Sequence, residues 1–271
     1  ELSQLFTISI YAYAIMSNHY HLVLNVERED LPDEVVADRW LRLCPGREAL
    51  REREDGLALQ KLALLADPLR LEEIRARLSS ISWFMRFINE PLARMANRED
   101  ECTGRFWEGR FRSQALLDEA SILACMVYVD LNPVRNAIAP TPEQSAFTSI
   151  QLRIKAAIKG AQPSALLPFI GSEHQDKVTG IRFSLQDYLQ LVDGTGRIIR
   201  DDKCGAINPQ TAEILTRLHI SNESWLKLTM NFEDIFTGAV GSAEHLCEFS
   251  EHVGLQRTHG IANAKACLNS A

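Results

Sequence analysis

The stretch Tyr11–Glu27, YAYAIMSNHYHLVLNVE, constrains the fold more than any other part of the chain. Thr7–Met16 is rich in Ile, Tyr and Ala, Ser17-Asn18 supplies turn chemistry, and His19–Val26 resumes the apolar run. That is the pattern of a β-hairpin. Side chains at i and i+2 of a strand project from one face. His19 and His21 therefore stand side by side at the start of the second arm, each offering an imidazole nitrogen. Such a pair suits a metal, and equally a wet strand face or a hydrogen-bonded core, because histidine serves in all three.

The segments around the hairpin predict an α+β fold. ELSQLF reads as the end of a helix running into the first strand. Val35–Leu78 is helical in pattern, broken at Cys44-Pro45-Gly46 and at Asp67-Pro68. Ile81–Arg98 is a further helix in which Pro91 starts a new turn or a kink. Gly104 and Gly109 bracket a loop, Arg112–Asp118 reads as a short strand, and Ala120–Leu131 as a helix. Pro133, Pro140 and Pro142 mark a turn-rich stretch before a short basic helix, Ser149–Lys159. GAQPSALLP reads as a linker. Beyond about residue 165 the chain is mostly helical, with LVDGTGRIIRDDKCGAINP as its main loop.

Composition narrows the classes. With 46% hydrophobic residues among 271, the chain can bury a sizeable core. It has no run of about 18 apolar residues, the length of a membrane span, and no visible secretory signal. Six cysteines are scattered without a close pair. That argues against a zinc knuckle or disulfide framework and suits a reducing cytoplasm. The net charge is −7, so a nucleic-acid-binding role requires a local basic patch.

Two further segments carry chemistry. In ILACMVYVDLNPVRN, Ile122–Asn136, Tyr128 and Asn132 are four apart and share a face if the helix continues. Pro133 disfavours helical geometry at Asn132, which would then cap the next turn. The plainer account makes Tyr128 a core aromatic and Asn132 a helix stop. GRFWEGRFRS, Gly104–Ser113, interleaves Arg105, Arg110 and Arg112 with Phe106, Trp107 and Phe111. Arginines contact phosphates and aromatics stack on unpaired bases. The alternative is a hairpin with a solvated arginine face and one or two core aromatics. Arg86, Arg94 and Arg98 extend the same basic patch.

SNHYHLVL, GRFWEGRFRS and YVDLNPVRN, in that order, resemble the single-tyrosine transposases of the HUH class, and most of all the REP-associated tyrosine transposases of bacteria. The resemblance covers roughly residues 1–150. It implies an HUH endonuclease-like antiparallel sheet with flanking helices, residues 1–150 forming the catalytic domain with a helical insert at about 30–78. Residues 165–271 would be a helical C-terminal extension. It further implies that His19, His21 and Asn132 hold Mg²⁺ or Mn²⁺, and that Tyr128 attacks a phosphate of single-stranded or hairpin DNA. The product is a 5′-phosphotyrosine link and a free 3′-hydroxyl, which allows strand transfer without ATP. Arg105, Trp107, Arg110 and Arg112 would contact the DNA, and a homodimer is compatible with the family.

The chain departs from that pattern in one respect. The family begins with a strand and a helix before the hairpin, and here neither is present, as if the start were missing. A hairpin so placed is expected to leave a bare sheet edge. Two other readings stay open: a non-catalytic relative that recognises hairpin DNA, and a small-substrate metalloenzyme built on the His-x-His strand. GTGR at Gly194 lacks the Lys-Ser/Thr of a phosphate loop and reads as a turn. His245, His252 and His259 recur every seven residues, but Gly254 interrupts the helix, so they read as solvent-facing.

Overall fold

The computed structural model describes residues 1–27, 30–46, 53–171, 179–200 and 209–268. The chain divides into two compact units: Glu1–Ser9 with Leu24–Arg112, and Ile10–Val23 with Ser113–Ala271. The expected boundary between residues 150 and 165 does not coincide with this division.

The first unit opens with α1 (Leu2–Leu5) and the outer ends of a two-stranded hairpin, β1 (Ile8–Ile15) and β2 (Tyr20–Val26). Helices α2 (Asp33–Leu43), α3 (Arg53–Leu65), α4 (Pro68–Leu78) and α5 (Ile81–Glu99) follow. The breaks fall at the expected residues. Asp67 accepts a bond from the Arg70 amide at 3.0 Å and caps α4, with Pro68 at its first turn. Helix α5 runs unbroken through Pro91. Val36, Ala37 and Trp40 of α2 bury against Leu71, Ile74 and Leu78 of α4. The Arg77 guanidinium lies 4.4 Å from the centre of the Trp83 ring.

The second unit is built on α6 (Glu119–Asp130). The strand predicted over 112–118 is two residues long, β3 (Ala115–Leu116). Asp118 caps α6 in a reciprocal capping box with Ser121. Leu123, Ala124, Met126, Val127, Tyr128, Val129 and Asp130 are all buried, so the helix is enclosed on every side. A short α7 (Asn132–Arg135) follows, then α8 (Ser149–Ala157), α9 (Leu185–Ile199), α10 (Pro209–Arg217) and α11 (Asn222–Ile235). β4 (Ala239–Val240) pairs in parallel with β3, and α12 (Ala243–Val253) and α13 (Ile261–Cys267) close the unit. Helices α9 and α11 pack directly on α6, so the region beyond residue 165 shares one core with the YVDLNPVRN segment.

The observed fold is α+β. Among the described residues the antiparallel sheet is the two-stranded hairpin, with no wider sheet around it. The bare edge expected of β1 is not found between Ile10 and Ile15. Ala14 forms an antiparallel bridge with Thr148, and the Phe147 carbonyl accepts from the Ile15 amide at 3.1 Å. Ser149 Oγ accepts from the Tyr13 amide at 2.8 Å, and Ile10 O accepts from the Leu167 amide at 2.8 Å. Arg153, fully buried, donates to Tyr11 O at 2.8 Å and Leu167 O at 3.1 Å.

Arg153 belongs to a buried polar group centred on Asp130. That carboxylate accepts from Ser149 Oγ, from the Ile150 amide at 2.9 Å and from the Tyr188 hydroxyl. Burial pushes the Asp130 carboxyl up to about 6, against the pull of those bonds and of the Arg153 charge.

The turn expected at GTGR is instead part of α9. Gly194 is there for space. A Cβ at that position would come within 2.5 Å of Thr211 Oγ1, so glycine lets α9 and α10 approach closely. The rest of the expected loop, residues 201–208, lies outside the described residues. His245, His252 and His259 are exposed, and Gly254 ends α12 in the left-handed conformation, as read from the sequence.

Candidate functional site

Strand alternation decides where the histidines face. Val23 is buried in the core of the second unit, and His21 and His19 lie two and four residues before it on the same side. His21 is thereby turned toward α6, while His19, next to the turn, stays exposed. Their rings are 5.0 Å apart, edge to face. His19 Nδ1 is 2.6 Å from Asn18 Oδ1. Partial burial and the neighbouring His21 lower the pKa of His19.

From the other side come the end of α6 and the start of α7. The helix stops at Leu131 and restarts at Asn132; Leu131 is the N-cap of α7, so Asn132 is its first residue and not the cap that the sequence suggested. Asn132 is 2% exposed, and its amide nitrogen lies 2.9 Å from His21 Nε2. Asn136 donates to Asn132 Oδ1 at 2.8 Å and to its backbone carbonyl at 2.9 Å. Tyr128, one turn earlier, meets His21 edge to face with ring centres 6.0 Å apart. Three of the four residues singled out in the sequence for metal and nucleophile thus meet directly, and the fourth, His19, joins them through His21.

Tyr128 is also a core side chain. It is 8% exposed, and the Phe232 ring of α11 lies 5.8 Å from its own. The Arg135 guanidinium sits 3.8 Å from the ring centre and donates to Thr229 O at 3.2 Å. Burial pushes the phenol above its ordinary pKa of 10, and Arg135 only partly opposes this. Glu233, beside Phe232, is 3.1 Å from His21 Nδ1, and that hydrogen bond holds its carboxyl below the ordinary value. Arg135 and Asn136 were not singled out in the sequence, although they stand three and four residues after Asn132 inside the YVDLNPVRN motif. Phe232 and Glu233 carry no sequence signal, since about a hundred positions separate them from the motif.

The arginine-aromatic segment belongs to the first unit. It is an irregular loop, not a hairpin, and Arg105, Arg110 and Arg112 are exposed. None of its aromatics is a core residue, contrary to the alternative weighed above. Phe106 is 46% exposed, Phe111 37%, and Trp107 half-buried. Trp107 Nε1 donates to Asn89 O at 3.0 Å, and its ring meets Phe106 edge to face at 4.9 Å. Upstream, Arg86 and Arg94 both pair with Glu90, which removes part of their positive field.

Among the described residues no group of three or more His, Cys, Asp or Glu side chains gathers to hold a metal ion. A divalent cation here would rest on two imidazoles and the oxygen of an amide, a mixed N/O set that suits several divalent metals. His21 Nε2 and Asn132 already share a hydrogen bond, so the donors lie within reach of one ion. The donor types suit such an ion, but in the described state Asn132 turns its amide nitrogen to His21 Nε2 while its oxygen accepts from Asn136, so the amide would have to turn over to offer that oxygen. No family model, curated protein or solved structure matches the chain. Among the described residues no helix is long and apolar enough to cross a membrane.

Proposed function

We propose that the chain cleaves and rejoins single-stranded DNA through a 5′-phosphotyrosine at Tyr128, the chemistry of a single-tyrosine DNA transposase. One observation carries the reading: His21 and Asn132, 111 positions apart, meet at 2.9 Å beside Tyr128. His19, His21 and Asn132 would hold Mg²⁺ or Mn²⁺. Such an ion supplies Lewis-acid polarisation of a phosphate oxygen. Tyr128 Oη forms the new bond to phosphorus, the 3′-oxygen of the preceding nucleotide leaves, and the phenolic proton is released. The reverse attack, by the 3′-hydroxyl of another strand, restores the phenol. In the described state the phenol is buried and protonated, a nucleophile at rest. Exposed Arg105, Arg110 and Arg112 supply phosphate contacts and Trp107 an aromatic face.

A second reading has an observation in its favour. Tyr128 is packed under Phe232 with a raised pKa, as suits a relative that binds hairpin DNA without cutting it. A denaturing gel with a labelled hairpin oligonucleotide and Mn²⁺ separates the two. A covalent adduct that maps to the peptide CMVYVDLNPVR supports cleavage. Binding without adduct supports the second reading, and neither binding nor adduct removes both.

A further inference from the structure

Helix α11 does not keep helical geometry to its end. Asn231 has φ −130° and ψ 33°, and the backbone turns there before the helix closes at Ile235. The two residues after this break are the two that reach the site. Phe232, 1% exposed, lies against Tyr128, and Glu233 places Oε1 3.1 Å from His21 Nδ1. The break thus aims consecutive side chains at two neighbouring groups of one site.

Hydrogen-bond chemistry fixes what the Glu233 contact does. An ionised carboxylate only accepts. His21 Nδ1 must therefore carry the proton, and in the neutral ring Nε2 must then carry the lone pair. Nε2 is the nitrogen that faces Asn132 at 2.9 Å. The bond is anchored on the histidine side, whose side chain is 17% exposed against 57% for Glu233. A free surface ion pair would not select a ring nitrogen; this one does.

We propose that Glu233 is a positioning residue for His21: it holds the ring in the Nδ1–H tautomer, which leaves at Nε2 the lone pair that accepts from the Asn132 amide here and that a divalent cation would take in its place. The role of the cation rests on the function proposed above. Carboxylates that orient a metal-binding histidine in this way typically govern metal affinity by about 10–100-fold. Residues of the C-terminal helical region thereby become part of the site rather than an accessory to it.

The tautomer is readable without metal or DNA. In the metal-free full chain, two-bond ¹H–¹⁵N correlation of labelled histidines should show His21 as Nδ1–H. Glu233→Ala should lose that preference. Glu233→Lys should invert it to Nε2–H, because an ammonium only donates and demands a lone pair at Nδ1. Mn²⁺ titration followed by electron paramagnetic resonance should give an affinity about 10–100-fold weaker for both variants. Circular dichroism checks that each variant folds, and either folded variant suffices. A His21 spectrum and Mn²⁺ affinity unchanged in a folded variant overturn the role of Glu233 and leave the proposed function standing. A wild-type chain that shows the Nδ1–H tautomer but takes up no Mn²⁺ overturns the metal reading, and this proposal with it.

Discussion

The arginines set against β1 and Tyr128 in the second unit and those of the Gly104–Ser113 loop in the first act in opposite ways. In the second unit Arg153 is fully buried, its guanidinium bonded to two main-chain carbonyls and set 4.6 Å from the centre of the Phe169 ring. Arg135 is half-buried over Tyr128. In the first unit Arg105, Arg110 and Arg112 stand exposed on an irregular loop. A buried guanidinium acts through fixed geometry and is insulated from salt. An exposed one acts through its field, which mobile ions screen within about 10 Å at 0.1 M. Substitutions in the second unit should therefore be large, local and indifferent to salt. Those in the loop should be small, additive and strongly dependent on it.

The severest test of the second unit removes one atom. Tyr128→Phe keeps the ring between His21, Arg135 and Phe232, so folding should be nearly unchanged. The covalent adduct should fall by at least about 10³-fold, equivalent to about 4 kcal/mol. Hairpin-DNA binding should persist. An adduct retained in the Phe variant, or mapped to Tyr11, Tyr13, Tyr20 or Tyr188, removes Tyr128 from the chemistry.

Arg153→Ala probes the buried guanidinium itself. It strips the donors from Tyr11 O and Leu167 O and takes away the positive charge near Asp130. A loss of about 3–5 kcal/mol in unfolding free energy is expected, as for other broken buried charge networks. Urea melts at low and high salt should give the same loss. A cost below about 1 kcal/mol would mean that the buried arginine is dispensable to the fold.

Asp130 gives that network a pH signature. Its carboxyl goes from 3.8 to about 6 on burial, so the fold favours the neutral form. The stabilisation is present in full below about pH 3.8 and is lost as pH rises through about 6. Asp130→Asn cannot titrate. Relative to wild type, its stability should climb by up to about 3 kcal/mol between pH 3.5 and 7, on top of any constant cost of the exchange. A difference that is flat across this window would show that folding leaves the Asp130 carboxyl unshifted, and one that falls would show that the native state holds it ionised.

The smallest effect belongs to the loop. Arg110→Ala should weaken single-stranded DNA binding a few-fold and lower the slope of log affinity against log salt by about 0.7, the value for one phosphate contact. Arg105→Ala and Arg112→Ala should act similarly, whereas Trp107→Ala should lower affinity without changing the slope. Slopes unchanged for all three arginines would place the basic surface elsewhere and dissolve the contrast between the units.

What the sequence made legible follows from the range of the forces involved. The hairpin and the breaks at Gly46 and Asp67 are decided by residues a few positions apart, and they stand where the pattern puts them. The pairing of His21 with Asn132 was reachable because each lies in a recognisable motif. Glu233 and Phe232 were not, because their approach depends on a break in α11 and on its packing against α6. GTGR misled for a related reason. Glycine was read as a backbone hinge, whereas at Gly194 its missing side chain makes room for Thr211. Asp130 in VYVDLN was visible as an acid in an apolar run, but nothing local reveals that Ser149 and Tyr188 enclose it.

The cover over β1 has a consequence in time. ISIYAYAI is eight residues without a charge, a proline or a glycine, the composition of segments that stack into cross-β assemblies. Its outer edge is closed by Ser149 and Arg153, 136 and 142 positions downstream of the residues they bond. At about 5–20 residues per second of synthesis, the strand exists for roughly 7–28 s before its cover has been made. For that interval the nascent chain carries an uncapped adhesive tract. Its yield in a cell should therefore depend on translation speed and on chaperones at the ribosome far more than the stability of the finished fold would indicate.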